Sequence, residues 1–148
     1  MAVVSRTLWA EGSPTTALSR DALKHGLHAA LDKLGQRNKV LAVPPDITRV
    51  HSRAGELTRY AYEYFGDRLS DILPAIGTHV PLTEPERVSM FAGVPRERFR
   101  THDWRRDVVT LGEVPASFVR DVSGGAVEYP WPAQVNRLLV EGDFDLIL

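Results

Sequence analysis

A chain of 148 residues suits one α/β domain, and 43% hydrophobic with 25% charged residues is a globular composition that excludes a disordered or fibrous protein. Lys and Arg number 18 against 19 Asp and Glu, a net charge of −1 without runs of one sign, which argues against nucleic acid and anionic membrane surfaces as partners. The chain has no cysteine, so disulfides, thiolate ligands and thiol nucleophiles are excluded, any metal must be held by His, Asp or Glu, and a reducing cytoplasm suits the composition.

The start, Met1 to Trp9, lacks the apolar core of an export signal, and no stretch approaches the roughly 20 apolar residues of a membrane span. Leu23, Leu27, Ala30, Leu31 and Leu34 then recur at helical spacing, with Ser19 as N-cap, Asp21 in the first turn and Gly35 as stop. Lys39 to Val43 is a short apolar run closed by Pro44 and Pro45, which reads as a buried strand leaving a sheet. After the polar loop Asp46-Ile-Thr-Arg49, Ser52 is placed to cap a second helix reaching Phe65, with Gly66 as stop.

The unit repeats. Ile72 to Ile76 is a second strand despite Pro74, Gly77-Thr-His79 is its exit loop, and Thr83-Glu-Pro-Glu86 is a capping box opening a third helix. Beyond Gly93 the pattern predicts short strands at Arg98 to His102, Asp107 to Leu111 and Ser117 to Val119, a short helix over Ala133 to Val140, and a strand from Phe144 to Leu148. The expected fold is a Rossmann-like α/β domain with a largely parallel sheet flanked by helices. Because the chain stops inside a strand, residues 1 to 148 read as one N-terminal domain, incomplete at its C-terminal end, of a longer two-domain protein.

In open α/β sheets ligands gather at the carboxyl ends of the strands, where loops and helix N-termini converge. Two loops qualify. In the first, Asp46 is suited to orient a neighbour, Thr48 to donate to a phosphate or hydroxyl, and Arg49 to clamp a carboxylate with its planar fork. In the second, His79 places an imidazole just past a strand, where its near-neutral pKa suits proton transfer. The bland reading stands beside this one: Asp46 and Thr48 satisfy loop backbone groups, Arg49 is solvated and His79 is a rim residue.

Taken together, Asp46-x-Thr48-Arg49 and Gly77-Thr-His-x-Pro-Leu-Thr-x-x-Glu86 resemble the N-terminal half of the lactate racemase family, and His102-Asp-Trp104, Val109 to Gly112 and Asn136-Arg137 extend the likeness over roughly residues 40 to 148. The resemblance implies a racemase or epimerase of 2-hydroxy acids that transfers a hydride to and from a nickel-pincer nucleotide while two histidines exchange the hydroxyl proton. On that resemblance His79 matches the first histidine, Arg49 the arginine that holds the substrate carboxylate, and Asp46 the acid of the same loop, while Thr48 sits where a nucleotide phosphate is held.

Two departures stand out. Val50 and Val80 replace the family's usual proline and basic residue, which makes a hydroxy acid other than lactate plausible. The resemblance also implies that the second histidine, the cofactor-bearing lysine and the nickel-ligating histidine lie beyond Leu148. The expected partners are therefore a small hydroxy acid and the missing C-terminal portion, with no metal ligand, no bound cofactor and no activity in the fragment alone.

Two alternatives remain open: a non-catalytic α/β module that binds a nucleotide or anion through its helix N-termini, and an interaction domain in which both loops are structural. His102-Asp103, the His25 and His28 pair, His51 and the Trp104, Trp131 and tyrosine groups read better as structural or solvated residues.

Overall fold

The computed structural model describes residues 7–148. It is a mixed α/β structure in which a parallel sheet is flanked by helices. Helix α1 (Arg20–Asp32) begins at Ser19, whose hydroxyl accepts from the Ala22 N–H at 3.1 Å. Strand β1 (Val40–Ala42) follows, buried along its whole length as a strand covered on both faces must be. A 3-10 segment (Ile47–Ser52) leads into helix α2 (Ala54–Phe65), then strand β2 (Leu69–Ile72) and helix α3 (Glu84–Met90). The predicted capping box holds: Glu86 accepts from the Thr83 N–H at 2.8 Å.

The chain divides into two compact units, where the sequence reads as one. The first comprises residues up to Thr101 together with Phe144–Leu148. Its sheet has the order β2-β1-β5, all parallel, with β5 at Leu146–Ile147. Asp145 pins β5 to the start of β1, its carboxylate accepting from the backbone N–H groups of Asn38 and Lys39 at 2.7 and 3.1 Å. Leu31 of α1, Ala61 and Phe65 of α2, Val40 and Ala42 of β1, and Leu69 and Ile72 of β2 form one core with Met90, Phe91 and Val94.

The second unit, His102–Asp143, is built on an antiparallel pair, β3 (Val108–Val114) and β4 (Trp131–Asn136), with helices α4 (Ala116–Val122) and α5 (Leu138–Glu141). Among the described residues no helix is long and apolar enough to cross a membrane.

Several element boundaries differ from those the sequence predicts. Strand β2 lies earlier than Ile72 to Ile76, because the polar Ser70 and Asp71 conceal it: Asp71 is buried and bonded to Ser70 and, at 2.6 Å, to Arg100. The ladder nevertheless runs on past it, with Leu73 and Ala75 donating to Ala42 and Pro44 at 2.8 Å, so the missing N–H of Pro74 falls on the side away from β1. The stretch Arg98 to His102 contributes one bridge, Phe99 to Ile72, and no strand. Ser117 to Val119 is helical, since a three-residue apolar run carries no period of its own. The Ala133 to Val140 stretch splits into the end of β4 and α5, because pairing with β3 overrides its helical spacing.

The cap of α2 falls one residue later than Ser52. Arg53 takes the position with φ +64°, a left-handed conformation that costs a non-glycine residue roughly 1 kcal/mol or more. Its guanidinium is held by Glu56 at 2.8 Å, and Glu56 also accepts from the Tyr60 hydroxyl at 2.7 Å and faces Arg20 at 3.3 Å. The bond from Arg53, then that from Tyr60, brings the Glu56 carboxyl from its ordinary 4.5 to about 2. A folded pKa below the unfolded one adds stability that is complete above about pH 4.5 and fades as the pH falls toward 2, about 3 kcal/mol at most. Urea midpoints measured across that window should fall steeply for the wild type and less steeply for Glu56→Gln; equal slopes would show that Glu56 is not the group responsible.

Candidate functional site

Because β1 and β2 are parallel neighbours, the chain leaves both at the same edge of the sheet. A bridge between Pro45 and Ala75 keeps the two exits in step to their last residue. Beyond it, Gly77 adopts φ +57° and the His79 N–H closes a turn on the Ile76 carbonyl at 2.9 Å. Nothing would obstruct a Cβ at Gly77, so glycine serves there for its conformational freedom alone. The turn carries the His79 ring back to Asp46.

Asp46 is 5% exposed and each of its oxygens is used. Oδ1 accepts from the Thr48 N–H at 3.1 Å and from the Thr48 hydroxyl, and Oδ2 meets His79 Nδ1 at 2.6 Å. The Thr48 hydroxyl, followed by His79, holds the Asp46 carboxyl below the usual carboxylate range against the opposing effect of burial. An ionised carboxylate has no proton to give, so the hydrogen in this bond sits on Nδ1. When the ring carries no second proton, Nε2 is its acceptor. With 58% of the side chain exposed, His79 is open to a ligand.

The two loops thus form one acid–base pair, Asp46 with His79, joining residues that the sequence offers as separate candidates. Thr48, read there as a phosphate donor, spends both its donors on Asp46 and braces it. Arg49 is exposed, and its guanidinium makes no hydrogen bond or ion pair among the described residues, which leaves its fork free for a ligand. The local sequence carries no signal for the Asp46–His79 contact, because it depends on the register between two strands.

Two of the other histidines have structural surroundings. His28 Nε2 meets the Tyr60 carbonyl at 3.1 Å and its ring packs on Tyr64, while His102 pairs with Asn136 at 2.9 Å rather than with Asp103. Among the described residues no group of three His, Asp or Glu is placed to hold a metal.

No family model matches the chain, and no curated protein does. The chain is similar to a crystal structure of a Thermotoga maritima protein solved as a structural-genomics target, with 32% identity and a TM-score of 0.77 over 94% of this chain and 34% of that one. It thus spans about a third of the length of the solved structure it matches. This similarity bears on the fold and carries no activity with it.

If Thr48 braces Asp46, Thr48→Val should raise the Asp46 pKa toward the ordinary carboxylate value, since the hydroxyl bond is the foremost cause of its depression. Carboxyl-carbon NMR titration of Asp46 in both proteins reads this directly. An unchanged titration would remove Thr48 from the pair.

Proposed function

We propose that this chain supplies the proton-transfer and carboxylate-binding groups of a 2-hydroxy acid racemase or epimerase resembling the nickel-pincer nucleotide-dependent lactate racemases, acting in the cytoplasm as part of a longer protein. The observation that carries the reading is the 2.6 Å contact between His79 Nδ1 and Asp46, which leaves Nε2 ready to take a proton at the carboxyl edge of a parallel sheet.

A C2 hydroxyl must lose its proton as hydride leaves the same carbon. His79 Nε2 accepts that proton, and the charge that develops on the imidazolium is stabilised by the Asp46 carboxylate beside Nδ1. For the stereoisomer of opposite hand, with hydride returned to the other face of the carbonyl, the resemblance assigns the proton to a second histidine of the longer protein. Arg49 binds the substrate carboxylate through its free fork, which fixes the reacting carbon relative to His79. In the family resembled, the nickel-pincer nucleotide supplies the hydride acceptor. The described side chains fit the substrate's proton and carboxylate and do not fit the metal, for which they offer no ligand group, so no step here is routed through it.

In the full-length protein, His79→Ala should lower turnover by about 10²- to 10⁴-fold, the usual cost of losing a proton-transfer group, while the fold is kept. Arg49→Ala should raise KM and lower kcat together, because the clamp acts on binding and on alignment. Interconversion of hydroxy-acid stereoisomers gives the rates, with circular dichroism as the check on folding. Near-normal turnover in folded His79→Ala would make the imidazole structural and end the proposal.

A further inference from the structure

We propose that the cavity between the start of α2 and the end of α3 is a binding site for a phosphate group, held by Arg20, Arg53 and Arg59. It has a volume of about 430 Å³, within the usual range of small-molecule sites, and its walls include those three arginines against the single carboxylate of Glu56. None of Asp46, Thr48, Arg49 and His79 lines it, so it is separate from the acid–base pair and independent of the function proposed above.

Glu56 offsets one of the three positive charges. Its contacts with Arg20 and Arg53 both go through Nε, at 3.3 and 2.8 Å. Arg53 uses one terminal nitrogen on the Leu18 carbonyl at 3.3 Å, and its other terminal nitrogen and both of those of Arg20 make no hydrogen bond among the described residues. Arg59 Nε is buried without a hydrogen-bond partner, the carboxylate of Glu63 standing off at 3.6 Å.

The backbone supports the same reading. Helix α2 has 12 residues, and Arg53, Gly55 and Glu56 at its start line the cavity. Gly55 admits the Met90 carbonyl where any Cβ would collide with it, which brings the end of α3 against the start of α2 and closes the floor. Arg53 holds φ +64° where glycine would be unstrained, so the chain keeps a guanidinium there at a conformational cost. Three guanidinium groups arriving from α1, the cap of α2 and the body of α2 suit a tetrahedral, doubly charged anion. A planar carboxylate is satisfied by one fork.

Titration calorimetry of the protein at low ionic strength, with inorganic phosphate, phenyl phosphate and malonate, tests this. Phosphate should bind in the millimolar range or tighter and more tightly than malonate. Arg59→Gln, which leaves the Glu56 contacts alone, should weaken it at least about tenfold, the loss expected for one charge-assisted bond, with an unchanged circular dichroism spectrum. Arg53→Gly, at a φ that glycine adopts freely, should weaken it too, and His79→Ala should leave it unaltered. Tighter binding of phenyl phosphate assigns the site to a phosphate ester, and equal or tighter binding of inorganic phosphate assigns it to the free anion. No phosphate binding, equal affinity in folded Arg59→Gln, malonate bound as tightly as phosphate, or loss of binding in His79→Ala would overturn the proposal.

Discussion

An ionised carboxylate taken out of water costs several kcal/mol unless donors surround it, and that constraint shapes the carboxyl edge of this sheet. Asp46 is delivered there by Pro44 and Pro45 and is almost fully buried. It finds two donors in its own loop, from Thr48, and a third across the strand boundary, from His79. The loops after β1 and β2 are consequently tied to one another, and the imidazole is fixed in ring orientation and in tautomer by a bond whose first purpose is to satisfy a buried charge.

Carboxylates tie segments together elsewhere in the first unit as well. Asp71 is buried in β2 against Arg100 and Ser70, Asp145 anchors β5 through two backbone N–H groups, and Glu56 gathers Arg20, Arg53 and Tyr60 at the start of α2. Each carboxylate joins segments distant in sequence. The apolar core determines that β1 and β2 lie side by side under α1 and α2, and these carboxylates, Asp46 and Asp71 buried, Glu56 half-buried and Asp145 exposed, determine how their ends are held.

Much of this was legible in the sequence where a residue acts through its own neighbours. Ser19 before α1, the Thr83 and Glu86 box before α3, and the Pro44 and Pro45 exit from β1 all work within a few residues, so their spacing is sufficient. The α/β class and the two candidate loops followed from the same local signals. What was hidden depends on partners far along the chain: β2 was masked by Ser70 and Asp71, whose polarity is answered by Arg100, and β4 reads as a helix until β3 pairs with it. The candidate site divides the same way. Asp46, Thr48, Arg49 and His79 could be named from their loops, and the Thr48 brace on Asp46 lies within one of them, but that Asp46 holds His79 follows only from the parallel register that sets the loops side by side.

The central claim is that Asp46 and His79 act as one unit. A double-mutant cycle on kcat/KM of the proposed racemase, built from Asp46→Asn, His79→Gln and the pair, measures this directly. If Asp46 acts through the imidazole, removing it from a protein that already lacks His79 should cost little, and the double variant should be no slower than His79→Gln alone. Fully additive losses would show that the two side chains work independently and that their contact is structural.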